Sequence, residues 1–446
     1  MKHRFHFLLM AAILLAGCQP ENTDYELDLT LEETLKQASG GIGKTFYQLP
    51  KSHEYDKIPQ DPNNPLTSEK VLLGQLLFHE TGLALAPVKS TATGTYACAS
   101  CHFASAGFQA GRFQGLSEGG HGFGLNGEDR KKLDAYDEPD VDCQPVRTPA
   151  ALNAAYQEVT LWNGQFGATG PNAGTETEWE YGTPKEDNHL GFQGLETQAI
   201  AGLKVHRMEI NRDFLRDKGY IPLFDAAFPG APAGERYTRE KAGLAIAAYE
   251  RTLLANRAPF QEWLGGNIAA MSDKEKLGAI LFFGSAGCAT CHNGPSLANM
   301  DFYAMGMNDL SACPEPVFRA PKDDPARFGR GSFTRNNADN YKFKVPQLYN
   351  LSDSPFYGHG SSFRSVREVV AYLNAGQPEN PEVPKVQLAP NFRPLGLTEE
   401  EIDQITFFLE QSLRDPELLR FQPGAVLSGQ CFPVNDPEGR ADLGCE

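Results

Sequence analysis

Apolar positions along the chain recur mostly at helical spacing. Leu277, Ile280 and Leu281 fall on one face of a helix, and Ser272 with Glu275 is the capping-box pair that would start it. Thr398 with Glu401 announces a second such helix through Ile402 to Leu413. Ahead of both, Thr238 to Ala255 is rich in Leu, Ile and Ala with few breakers and reads as one long helix. No segment alternates long enough to build a sheet. The pattern therefore predicts a mainly α chain, and its 44 glycines and 31 prolines predict long ordered loops between the helices.

The N-terminus follows a different rule. Lys2 and Arg4 precede an apolar run from Phe7 to Leu15 that is too short to span a membrane, and Leu15-Ala16-Gly17-Cys18 has the form of a bacterial lipobox. Residues 1–18 are thus expected to be a lipoprotein signal, with Cys18 the lipidated residue and the mature protein lipid-anchored in the periplasm. An ordinary cleaved signal with an incidental cysteine is the alternative, and either exports the chain. A net charge of −17 argues against a nucleic-acid partner, because phosphate backbones are repelled. A chain of 446 residues has room for two to three domains.

Export bears on the nine cysteines. Four lie in Cys98-Ala99-Ser100-Cys101-His102 and Cys288-Ala289-Thr290-Cys291-His292, two copies of C-x-x-C-H. Two thiols at this spacing can add to the vinyl groups on one edge of a haem, and the adjacent histidine can then ligate its iron. One copy could equally be a thioredoxin-like redox pair or half of a zinc site. Two copies without a βαβ context point to two covalently bound c-type haems, held by Cys98, Cys101, Cys288 and Cys291, with His102 and His292 as iron ligands. Cys143, Cys313, Cys431 and Cys445 remain for two disulfides, with Cys431 to Cys445 the nearest local pair.

The motifs sit in an internal repeat. Gly74-Gln75-Leu76-Leu77-Phe78 precedes the first and Gly278-Ala279-Ile280-Leu281-Phe282 the second, with a much longer interval before the first motif. These phrases are joined by Val146-Arg147-Thr148-Pro149-Ala150-Ala151-Leu152-Asn153, Leu161-Trp162-Asn163-Gly164, Ala247-Ala248-Tyr249-Glu250-Arg251-Thr252-Leu253-Leu254 and Phe343-Lys344-Val345-Pro346-Gln347-Leu348-Tyr349-Asn350. Together they resemble the bacterial di-haem cytochrome c peroxidases and the related methylamine-utilisation di-haem oxidase, from about Leu66 to Leu413. The resemblance implies two cytochrome c-like helical domains, the first with the peroxidatic haem and the second with the electron-transfer haem. The expected organisation is a lead segment over 19–64, a peroxidatic haem domain over 65–264, an electron-transfer haem domain over 265–425 and a tail over 426–446.

The same resemblance assigns further roles. Glu209 stands where the family has its catalytic glutamate, although His206 and Arg207 replace the Asn-Pro usual there. Trp162 matches the tryptophan between the haems. His121, between glycines, lies where some members carry a histidine that caps the resting iron. Arg147 would neutralise a haem propionate; it also occupies the position of an asparagine that binds calcium between the family's domains, so calcium is an expectation without its usual ligand. The second haem's sixth ligand falls on Leu373, which cannot ligate; Tyr372, Met305, Met300, Met307 and His359 are the alternative donors. The stretch from Gly167 to Asn188 is longer than the family's link and reads as an exposed elaboration or a lid.

The implied activity is peroxidase chemistry: hydrogen peroxide reduced to water with electrons from a small cytochrome or cupredoxin, steered by the acidic surface. A homodimer is a family expectation. Two other functions fit the same motifs, an oxidase that modifies a partner protein and a non-catalytic di-haem electron carrier.

Overall fold

In the computed structural model, residues 23–445 are described, so the signal and Cys18 lie outside the described residues. Helix α1 (Thr23–Ala38) comes first. The first half then holds α2 (Ser68–His79), α3 (Gly194–Val205), α4 (Arg212–Asp217), α5 (Ile221–Ala227), α6 (Arg239–Arg251) and α7 (Pro259–Leu264). The second half holds α8 (Asp273–Phe283), α9 (Arg330–Thr334), α10 (Val366–Ala375) and α11 (Glu399–Phe407), and α12 (Pro437–Leu443) lies in the tail. Strands among the described residues are two-residue pairs: β1 (Gly120–His121) with β2 (Lys131–Lys132), and β3 (Phe302–Tyr303) with β4 (Phe343–Lys344). The fold is helix-rich, as the periodicity predicts.

Each half is built on a helix pair crossing at a glycine. A Cβ on Gly74 of α2 would stand 1.9 Å from Ala245 O of α6, and one on Gly278 of α8 would stand 2.0 Å from Gln404 O of α11. Only hydrogen lets these backbones approach so closely. Around the crossings pack Leu73, Leu77, Phe78, Ile200, Leu244 and Ala248 in the first half, and Ala279, Phe282, Phe283, Ile402, Ile405 and Phe408 in the second; all belong to one continuous core. The capping boxes read at Ser272 and Thr398 are formed, and Ser365 with Glu368 makes a third at the start of α10.

Buried ion pairs tie the helices together. Arg251 of α6 meets Glu196 of α3 at 2.6 Å with neither side chain exposed, and Lys276 of α8 meets Asp28 of α1 at 3.0 Å. Helix α1, in the lead segment by sequence, therefore packs on the second half. The tail returns to the first half: Cys431 and Cys445 are bridged, the expected local pair, and Asp436 reaches the buried Arg130 at 3.2 Å. The second expected disulfide is not formed. Cys143 lies against Phe318 O at 3.4 Å and Cys313 against Glu315 Oε2 at 2.9 Å. The 167–188 stretch is ordered and docked: Asn172 and Asn188 are fully buried, Asp187 takes two hydrogen bonds from Arg239, and Arg330 reaches Asn172 Oδ1 at 2.8 Å from the second half.

Candidate active site

Both C-x-x-C-H motifs adopt the same local form. Cys98–Ser100 and Cys288–Thr290 are short 3-10 turns following the glycine-crossed helices. After each motif the chain turns back through a left-handed residue, Phe108 (φ 55) or Leu297 (φ 49), whose carbonyl faces the histidine. His102 Nδ1 lies 3.2 Å from Phe108 O and His292 Nδ1 lies 3.0 Å from Leu297 O. The carbonyls of Pro149 and Pro346 lie close to the same two rings. A carbonyl at Nδ1 holds the ring as the tautomer that offers its Nε2 lone pair, the usual outer support of a metal-binding histidine. Burial pushes the His102 imidazole down to about 4 and lowers that of His292, so both are neutral, as ligation requires.

Both histidines line one cavity of about 730 Å³ between the halves, together with Cys288 and Cys291. Its walls are mainly apolar, with a few cations and amides, the composition of a cofactor site. Trp162 lines it and holds the halves together: its Nε1 donates to Arg147 O at 2.8 Å, and its carbonyl accepts from Lys344 N at 2.8 Å. Its ring meets His359 edge-on at 6.3 Å, and His359 stacks on Phe343 at 3.6 Å.

The buried polar groups test whether this cavity suits a haem. Arg147 donates to Gln109 Oε1 (2.6 Å) and Ser354 Oγ (2.7 Å), yet its Nε has no partner, and burial pushes the guanidinium down to about 10. Lys344 donates to Gln157 Oε1 (2.7 Å), and burial pushes its ammonium down to about 7. Two buried cations in an apolar cavity call for anions, which is what haem propionates supply. The residues fit the group.

The remaining expected residues divide sharply. Met305 and Met307 line the cavity in the second half, as does Leu373. Tyr372 does not: its hydroxyl is committed to Met305 O at 2.7 Å, so it is not presented as a ligand. His359 lines the cavity but is bound to Asp309 at 3.0 Å and stacked on Phe343. His121 is pinned away from the cavity; it pairs with Lys131 in the β1–β2 ladder and its Nδ1 lies 2.5 Å from Glu438 Oε2 of the tail. The flanking glycines thus serve a tight ladder held by the tail rather than a free swing. Glu209 is exposed at the surface, because Met208 turns inward at the end of α3 and the next side chain faces out, its amide held by Leu83 O.

The turn before Glu209 is charged and partly enclosed. His206 Nδ1 lies 2.7 Å from Asp142 Oδ2, and Arg207 is paired with the buried Glu118. Burial pushes the His206 imidazole down, but the Asp142 carboxylate more than offsets this and leaves it raised. Lys344 and Glu250 are cavity residues that sequence reasoning did not single out. The repeat could have exposed Lys344, which stands two residues before Pro346 as Arg147 stands two before Pro149.

Residues 68–269 match the di-haem cytochrome c peroxidase family. Over those residues the chain carries that family's pattern. Among its relatives, the cytochrome-c peroxidase IdrP1 of Denitromonas iodatirespirans is 28% identical over 409 residues, 87% of this chain and 93% of the relative. The methylamine utilization protein MauG of Methylorubrum extorquens is 27% identical over 373 residues, 81% and 83% of the two chains. Among solved structures, a MauG-like protein associated with microbial copper homeostasis matches with a TM-score of 0.55 and 21% identity, covering 84% of this chain and 96% of that one, so the fold is shared. That likeness supports two c-type haems and peroxidase-type oxidoreductase chemistry. No helix among the described residues is long and apolar enough to cross a membrane.

Proposed function

We propose that the protein is a di-haem c-type peroxidase of the periplasm, lipid-anchored through Cys18, that reduces hydrogen peroxide to water. Its two electrons come from a small redox protein and pass from the second-half haem to the first-half haem; two protons complete the two water molecules. The observation that carries this reading is the single cavity lined by both neutral histidines with Trp162 between the halves. When bound, the haems supply the redox chemistry and the iron at which the O–O bond is cut.

The chain's own residues do the rest. Cys98 and Cys101, and Cys288 and Cys291, would fix the cofactors through thioethers, and His102 and His292 would hold the irons through Nε2. Arg147 and Lys344 would bind propionates, which would return Lys344 to its charged form. The apolar walls exclude water and lower the local dielectric, which strengthens these pairings. Trp162 would couple the haems electronically. Met305 and Met307 are the available donors for the second iron, since Tyr372 is hydrogen-bonded elsewhere. Glu209 could handle protons only if the turn after α3 rearranged to bring it inward.

The test is steady-state peroxide consumption by the haem-loaded protein with a reduced small cytochrome. Turnover is expected, and His102→Gly should lower it by more than the ~100-fold typical of disturbing an outer-shell group. Absence of turnover with and without pre-reduction would leave the electron-carrier reading; peroxide-driven oxidation of a partner protein, with poor use of the small cytochrome, would favour the oxidase.

A further inference from the structure

The two halves differ at one buried position that the repeat makes directly comparable. Ala245 O of α6 lies over Gly74, and Gln404 O of α11 lies over Gly278. Five residues on from each contact stands a cavity-lining side chain: Glu250 in the first half and Leu409 in the second. A leucine is what an apolar cofactor wall calls for. Glu250 is 5% exposed, and its Oε2 has no hydrogen-bond partner. An unpartnered buried carboxyl carries a desolvation cost that core packing alone does not repay.

Its surroundings define its charge. From α3 comes Glu196, which opposes ionisation, and on α6 itself comes Arg251, which favours it; these two are paired at 2.6 Å and largely cancel. The motif turn brings Cys98, whose sulfur feels Glu250 and would become a haem thioether. On the α2 face against α6 lies His79, which burial holds neutral against Tyr249, and the turn Ala154–Tyr156 brings the protonated Tyr156. His102 shares the cavity and is neutral. With no nearby cation left uncompensated, burial pushes the Glu250 carboxyl up to about 8.

We propose that Glu250 is the proton-exchanging group of the first-half haem, taking up one proton at its carboxylate when that haem gains one electron and releasing it on oxidation. This rests on the proposed haem in the first half. The electron comes from the small redox protein and the proton from solvent. The physical basis is that an oxidised, more positive haem stabilises the carboxylate, and reduction withdraws that stabilisation. The sign follows: raising the pH through the range where Glu250 ionises favours the oxidised state, so the reduction potential falls with pH. The second half, with Leu409 in the equivalent place, lacks this coupling.

The test is a redox titration of the haem-loaded protein from pH 6 to 9, followed by absorption, in wild type, Glu250→Gln and Glu250→Leu. One of the two one-electron waves is expected to shift to lower potential as pH rises in wild type and to lose most of that shift in both variants. An unchanged pH dependence in a variant with full haem content would overturn the proposal. Redox-difference infrared spectra of wild type give a reading independent of the variants: a protonated-carboxyl band should grow on reduction, and its absence overturns the proposal even if both variants lose haem. Because peroxide turnover is not part of either readout, failure here and failure of the peroxidase reading are separate results.

Discussion

The first and second halves are two uses of one plan. Both begin at a helix crossed over a glycine, both follow a C-x-x-C-H turn with a left-handed residue that aims a carbonyl at the histidine, and both close with a left-handed asparagine, Asn153 (φ 57) or Asn350 (φ 56). They differ in what surrounds the shared frame. The first half carries the longer loop before its motif, the tail packed through Asp436 and Glu438 on Arg130 and His121 of the segment after that motif, the charged turn of Asp142, His206, Arg207 and Glu118, and the buried carboxyl of Glu250. The second half lines the cavity with Met305 and Met307, with Leu409 where the first half has Glu250, and with its own polar residues Lys344, His359 and Asp309. Polar groups near an iron serve proton chemistry, whereas apolar walls and thioethers suit electron transfer alone. Under the proposed function, the division of labour would lie in the lining and not in the frame.

That comparison can be strained at its largest shared terms. Buried ion pairs join helices in both halves, Arg251 with Glu196 in the first and Lys276 with Asp28 in the second, and removing one partner leaves the other uncompensated. Glu196→Ala and Asp28→Ala should each cost about 3–5 kcal/mol, the second because it strands the buried Lys276 ammonium and the Trp263 Nε1 donor together. Denaturant unfolding of the haem-loaded protein measures both; equal small losses, under about 1 kcal/mol, would show that the pairs are not what joins the helices.

The glycine crossings give a smaller effect and a sharper comparison. Gly74→Ala and Gly278→Ala both place a methyl group within about 2 Å of a carbonyl oxygen and should each cost about 1–3 kcal/mol or more by forcing the helices apart. If the frame is common to both halves, the two losses in thermal unfolding should be similar. A neutral substitution at either site would break the equivalence of the crossings and, with it, the pairing of Glu250 with Leu409.

Much of this frame was legible in the sequence because it is local. The C-x-x-C-H spacing, the Gly-x-x-x-Phe repeat and the capping pairs at Ser272 and Thr398 each depend on residues within a turn or two of one another. The lining was less legible because it depends on which way a side chain faces after a turn. Glu209 follows an inward Met208 and so faces solvent, and His121 is fixed by a tail from the other end of the chain. Tyr372 and Leu373 are neighbours on α10, yet only Leu373 reaches the cavity. Lys344 and Glu250 lay within recognised phrases, but their importance emerges only when the apolar cavity around them is seen.

The central claim is that each half holds one haem and that only the first presents an iron that peroxide can reach. Absorption and spin-resonance spectra of the matured protein, oxidised and half-reduced, test it most directly. The account predicts two c-type haems per chain and, in at least one of these states, one centre that binds a small added ligand while the other stays six-coordinate. A protein without haem, or one whose two centres both remain closed to ligand at every redox level, would contradict it.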